Sequence, residues 1–201
     1  MITLTERLPD RIKVHGKTYR LKPDFRNVLN MMEMLGRTDI IQEARTYQAL
    51  RCVMRHPPKD DRLCAEVMQE FRKVFSLEGV SGKTEKRLTS FKQDADLIRG
   101  AFRQAYHIDL FREKLHWLEF SCLLACLPEG SRYTEIIGIR ARPIPKLTKY
   151  NKEEREAIIK AKQAHKLDLD ENEIALNFNN SINGIAQFMI SKARRGGDID
   201  K

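Results

Sequence analysis

The 201-residue sequence contains no run of about 20 predominantly apolar residues, the length a membrane-spanning helix requires, so no membrane partner is expected. The N-terminus, MITLTERLPDRIKV, lacks the basic-then-apolar layout of a secretory signal, so the expectation is a chain that stays in the cytoplasm. Cysteine is scarce. Cys52, Cys64, Cys122 and Cys126 are too few and too irregularly spaced for a secreted disulfide scaffold, and their apolar helical contexts predict buried free thiols. The five histidines, His15, His56, His107, His116 and His165, form neither H-x-x-x-H nor H-E-x-x-H, and there is no G-x-S-x-G elbow. Cys122 and Cys126 lie one helical turn apart, but no second close pair of metal ligands accompanies them, so packing is the better reading. Ser81-Gly82-Lys83-Thr84 resembles the end of a phosphate-binding loop. That motif needs glycine where Leu77 stands and a buried strand before it, whereas an amphipathic helix precedes it here. The expectation is no catalytic residue, no cofactor and no metal.

What is present is 41% hydrophobic and 32% charged residues, the balance of a globular chain with a heavily charged surface. The formal net charge of +9 would suit nucleic acid. Acidic residues are mixed among the basic ones along the chain, which favours a solvated basic surface and disfavours a nucleic-acid partner.

Ile12 and Val14, then Tyr19 and Leu21, alternate with charged residues around His15-Gly16, which predicts a short hairpin over 11–22. Pro23-Asp24 opens a helix with Phe25, Val28, Leu29, Met32 and Leu35 at helical spacing, stopped by Gly36. A second helix is expected from about Asp39, with Ile40, Ala44, Tyr47, Leu50 and Met54 on one stripe, ended by His56-Pro57-Pro58. Asp60 or Asp61 caps a third, with Leu63, Val67, Phe71 and Val74 as its apolar stripe and Cys64, Met68 and Phe75 beside it. Residues 78–93 have no apolar period and read as an exposed loop. Asp94 caps a fourth helix, with Asp96 beside it complementing the dipole. After a corner at Tyr106–Leu110, a long helix is expected to run to Leu127. Phe111, Leu115, Leu118 and Cys122 would form one of its faces, and Trp117, Phe120, Leu124 and Leu127 the other. Pro128-Glu129-Gly130 ends it. A short helix with Ile136 and Ile137 follows, then an extended exit. Asn151 and Glu154 suggest a capping box for a helix over 152–166 with a thin apolar stripe. A last helix carries Phe178, Ile182, Ile185 and Met189, a stripe that must bury against the body or a neighbouring subunit. The fold class is therefore mainly α. Residues 1–145 are expected to form a helical core domain with an N-terminal hairpin, and residues 146–201 a basic helical extension.

Three pieces then acquire a joint meaning. Asp24-Phe25-Arg26 follows a charged hairpin. Next comes Asp94-x-x-x-Ile98-x-x-Ala101-Phe102-x-x-x-Tyr106-x-Ile108-Asp109-Leu110. Then Leu115-His116-Trp117-x-x-Phe120-x-x-Leu123-Leu124-x-x-Leu127-Pro128 leads to Ile136-x-Gly138-x-Arg140. This pattern resembles the bacteriophage "gene product fifteen" family, encoded in the tail gene clusters of long-tailed phages near the tape-measure gene. The resemblance covers roughly residues 5–165, and Leu118 departs from it where a second aromatic often stands.

It implies a mainly helical, non-enzymatic tail assembly chaperone of the host bacterial cytoplasm. Such a protein self-associates as an oligomer or open spiral, coats the tape-measure protein during virion morphogenesis, and gives way to the tail-tube protein. The alternatives are a structural tail-completion or connector component, or a basic helical nucleic-acid-binding protein. The motif residues are Asp94, Ile98, Phe102, Tyr106, Asp109, His116, Trp117, Phe120 and Leu124. Candidate partner-binding residues are Met31, Met32 and Met34, which would suit an adaptable groove if they are not ordinary core, together with Phe178, Ile182, Ile185 and Met189.

Overall fold

The computed structural model describes residues 5–75 and 88–168. The phosphate-loop lookalike and the last apolar stripe therefore lie outside the described residues. The elements run β1 (Arg11–Val14), β2 (Lys17–Arg20), α1 (Phe25–Leu35), α2 (Gln42–Val53), α3 (Asp61–Phe75), α4 (Ala95–Tyr106), α5 (Trp117–Ala125), α6 (Arg132–Ala141) and α7 (Lys152–Ala164). The fold is mainly α with an N-terminal antiparallel hairpin. The described residues form two compact units, 5–75 with 112–123 and 88–111 with 124–168.

The first unit begins with the hairpin. His15 and Gly16 have φ of 49° and 75°, the paired positive values that a two-residue type I′ turn needs. This sets Ile12 opposite Tyr19, and both are buried on one face. The strand pair continues through the Leu21 N–H, which donates to the Asp10 carbonyl at 2.7 Å, while the Lys22 N–H reaches the end of α2 at the Val53 carbonyl, 2.6 Å away. Asp24 caps α1 by accepting from the Arg26 N–H at 3.0 Å. Gly36 ends α1 in the right-handed region, φ −77°, so its role as a stop does not use a left-handed cap. The second helix starts at Gln42, later than expected, because Arg37 pairs with Asp39 and its carbonyl accepts from Arg45 across the turn; Ile41 is left exposed. Asp60 caps the third, accepting from the Leu63 N–H at 2.8 Å. Its buried residues are Cys64, Val67, Met68, Phe71 and Phe75, all within the expected apolar set, whereas Leu63 and Val74 at the margin of that set are half-buried. Val28, Met31, Leu50, Val53, Val67 and Phe71 have no solvent exposure and form the centre of this unit. Full burial of such side chains contributes about 1.5–3 kcal/mol each before the entropy of ordering them is subtracted.

The second unit holds α4, α6 and α7, with the last residues of α5. His107, at φ 59°, terminates α4. Ser131 caps α6 through the Thr134 N–H at 3.2 Å. Ile158 is the buried residue of α7. The ammonium of Lys162 donates to the carbonyls of Ile139 and Arg140, at 3.4 and 2.6 Å, so a cation meets the negative end of α6.

Several expectations are corrected. The long helix after Leu110 is only α5; residues 107–116 are not helical, and Phe111 is 72% exposed. The backbone explains this. The Phe25 N–H donates to the Leu115 carbonyl at 3.0 Å and the Trp117 N–H to the Pro23 carbonyl at 2.7 Å, so the chain stays extended beside the entrance of α1 until Trp117. The buried line there is Trp117, Phe120 and Leu124, whereas Leu118 is half-buried and Cys122 exposed, so α5 has one buried face and not two. Of the thiols, Cys64 is buried and Cys52 half-buried, but Cys122 and Cys126 face solvent. Leu88, Thr89 and Ser90 are buried, so the exposed-loop reading fails at its C-terminal end. Asn151 does not make a capping box. Its side chain turns back to accept from the Thr148 N–H at 2.8 Å and donate to the Lys146 carbonyl at 2.9 Å, while Glu154 pairs with Arg142.

Candidate functional site

The residues singled out in sequence gather at two nodes. The node of the first unit is the junction of α1 with residues 113–120. His116 sits between two hydrogen bonds that fix its tautomer. Its Nδ1 accepts from the Leu118 N–H at 3.1 Å, so the proton is on Nε2, which donates to the Pro9 carbonyl at 3.0 Å. The imidazole thus caps the first turn of α5. The indole N–H of Trp117 donates to the Phe75 carbonyl at 3.1 Å, satisfying the last turn of α3. Phe120 stacks on Phe25 with ring centroids 4.5 Å apart and planes 9° apart. Arg26 bonds both Asp24 and the Glu113 carbonyl, the latter at 2.7 Å. The Asp24-Phe25-Arg26 and His116-Trp117-x-x-Phe120 pieces, about 90 residues apart in sequence, are therefore two halves of one joint.

The node of the second unit is built on Asp94, which was expected to cap α4. It occupies the N-cap position, where its carbonyl accepts from the Ile98 N–H at 2.9 Å, but its side chain makes no capping bond to that helix. Its carboxylate is buried and accepts two parallel bonds from Arg140, Nη1 to Oδ2 at 2.8 Å and Nη2 to Oδ1 at 2.9 Å, in the fork geometry that suits a guanidinium. It also accepts from the Ser90 N–H at 2.9 Å and the Thr89 hydroxyl at 3.3 Å. Because Thr89 donates there, the Tyr133 hydroxyl, 2.9 Å from Thr89, is the donor in that bond. Arg140 spends its other donors on the Leu88 carbonyl at 3.0 Å and the His165 carbonyl at 2.6 Å. Burial pushes the Tyr133 phenol well above its ordinary value, and the Asp94 charge adds to the shift. Ile98 and Phe102 are buried one and two turns along α4, Tyr106 packs edge-on to Phe102 at 5.6 Å, and Asp109 accepts from the Phe111 N–H at 2.9 Å.

Met31 and Met32 are core and offer no adaptable groove; Met34 is half-buried. Arg140 was part of the sequence pattern but not of the chosen residues, and Thr89 and Tyr133 were missed. A signal existed: Asp94 lies four before Ile98 and Arg140 four after Ile136, so each places a charge on the apolar face of its helix, with opposite signs. Among the described residues, no group of three or more His, Cys, Asp or Glu side chains could hold a metal ion, and no helix is long and apolar enough to cross a membrane. The polar side chains of both nodes point into the protein and are taken up by it.

A protein-family model described as Bacteriophage Gp15 protein matches residues 4–167. The chain belongs to the bacteriophage Gp15 protein family. It is thus a phage protein of the structural and morphogenetic kind. The match takes in both nodes, so the Asp94–Arg140 pair and the His116–Trp117 joint lie inside the family's span. No curated protein and no solved structure matches the chain.

Proposed function

We propose that the protein is a non-enzymatic tail assembly chaperone that acts in the host bacterial cytoplasm, self-associates, and coats the tape-measure protein until the tail-tube protein displaces it. The observation that carries the reading is the orientation of the motif residues. Asp94, His116 and Trp117 each bond within the protein and brace its elements, while apolar side chains such as Ile41 (73% exposed) and Tyr150 (95% exposed) face solvent. A frame braced from inside with apolar groups outside suits capture of an amphipathic helix, which is what a tape measure offers. An open spiral requires only a heterologous contact that does not close.

Size-exclusion chromatography with light scattering, with and without a co-expressed tape-measure fragment, tests this. Concentration-dependent oligomers that retain the fragment are expected, together with absence of the protein from purified virions. A monomer that ignores the fragment, or stoichiometric presence in virions, overturns the reading; the latter would indicate a structural tail component.

A further inference from the structure

The connector between α6 and α7 is held in one shape. Residues 142–148 belong to no helix or strand. Arg142 has φ −53° and ψ 126°, close to polyproline II. Pro143 and Pro145 keep the chain there, by fixing their own φ and by barring the helical region to Arg142 and Ile144. Helix α7 and the residue before it then clamp the backbone. The Arg142 carbonyl accepts from the Lys162 ammonium at 2.5 Å, the Pro145 carbonyl from the Arg155 guanidinium at 3.3 Å and the Lys146 carbonyl from the Asn151 amide at 2.9 Å.

Polyproline II turns once in three residues, so every third side chain shares an edge. Ile144, Leu147 and Tyr150 follow one another at that interval, exposed by 45%, 65% and 95%. Lys146 and Lys149 stand on the next edge, both exposed, while Pro145 is half-buried. No acidic residue occurs from Ala141 to Lys152. Arg142 pairs with Glu154, whereas Lys146, Lys149 and Lys152 enter no ion pair among the described residues. The connector thus displays an apolar edge beside a basic one, on a backbone ordered in advance. Binding through such an element does not have to order it again.

We propose that residues 142–152 form a docking strap for an acidic amphipathic helix of a partner protein. Charge complementarity selects the occupant. Three lysines beside three exposed apolar side chains match carboxylates flanking an apolar stripe. The spacing agrees: Ile144 and Leu147 stand about 9 Å apart along the strap, near the two-turn repeat of an α-helix. A nucleic-acid strand would use the lysines and Tyr150 but leave Ile144 and Leu147 uncovered. A second copy, itself carrying a formal charge of +9, is the poorer match. The inference deepens the capture reading above and rests on it only for the identity of the helix.

Fluorescence anisotropy of a labelled amphipathic peptide of leucine and glutamate, titrated with the full chain, is the test. Binding that weakens as salt is raised is expected, and the counterpart with lysine in place of glutamate should not bind. Leu147→Ser/Tyr150→Ser and Lys146→Glu/Lys149→Glu are each expected to weaken binding about ten-fold or more, with Ile41→Ser in the first unit unchanged. These side chains are exposed, so the urea midpoints of all three variants should match wild type. Failure to bind the glutamate peptide, equal binding of both peptides, or strap variants that bind as wild type overturns the proposal. So does tighter binding of an oligothymidine strand or of phosphatidylserine vesicles through the same lysines, which would assign the strap to nucleic acid or to a membrane surface. The two readings fail separately. Strap variants that still retain a tape-measure fragment sink the strap alone; a strap that binds the peptide in a chain that ignores the fragment sinks the capture reading alone.

Discussion

Removing the Asp94 carboxylate should cost more than any other single change in the second unit. Asp94 is 1% and Arg140 11% exposed at the side chain, so neither charge has water to fall back on. In Asp94→Ala the guanidinium loses two short bonds, and the Ser90 N–H and Thr89 hydroxyl lose their acceptor. Breaking a buried pair in this way costs about 3–5 kcal/mol, most of it for the charge left behind. For a chain of this size each kcal/mol lowers Tm by about 2–4 °C, so a fall of about 6–20 °C is expected. The assay is urea denaturation followed by circular dichroism, with thermal melts alongside. The decisive comparison is Asp94→Ala/Arg140→Leu, in which no buried charge is stranded. It should lose less than the sum of the single changes, by about 2 kcal/mol or more. If Asp94→Ala lies within about 0.5 kcal/mol of wild type, or the double variant is additive, the pair does not brace this unit and the reasoning fails.

Three further outcomes are expected. The Tyr133 phenol has its pKa raised in the folded state above the ordinary value of 10.0, so its contribution to stability is fully present below that pH and is lost as pH rises beyond it. Urea midpoints measured from pH 8 to 11 should fall more steeply for wild type than for Tyr133→Phe, and parallel curves would refute this. The Tyr19 hydroxyl is buried with no hydrogen-bond partner among the described residues, so Tyr19→Phe should be neutral or stabilising by up to about 1 kcal/mol, against the usual direction of core changes; a clear loss in the same titration would show that the hydroxyl is paired. His116→Ala removes the cap of α5 and the bond to Pro9 and should cost about 1–2 kcal/mol, with His116→Asn recovering part of it; the single tryptophan next to it gives the fluorescence signal for that measurement.

The elements of the first unit were legible because each has its own local punctuation. His15-Gly16 makes the turn, Asp24 and Asp60 cap helices, and Pro57-Pro58 follows α2. The failures share one cause. Residues 111–116 have helical apolar spacing, but the hydrogen bonds that join Leu115 to Phe25 and Trp117 to Pro23 keep the chain out of a helix until Trp117, and no local pattern encodes a partner 90 residues away. Asp94 was half-readable in the same way: Asp before an apolar helix is the ordinary cap signature and it does stand at the N-cap, but only the fold reveals that its carboxylate belongs to Arg140. His116 and Trp117 were noticed for their residue types, while their roles became readable only once the carbonyls of Pro9 and Phe75 were placed beside them.

Among the described residues the chain passes from the first unit to the second between residues 75 and 88, returns at 111–112, and leaves again at 123–124, this last time inside α5. Neither unit is a continuous stretch of polypeptide. On the ribosome, the hairpin and the first three helices emerge without Leu115, Trp117 and Phe120, so the Phe75 carbonyl waits for its donor and Phe25 for its stacking partner until more than half the protein has been made. A gene fragment cut at the end of α3 would carry the same debt permanently. An exchange of sequence between two such genes would have to take this region whole or leave both halves unfinished.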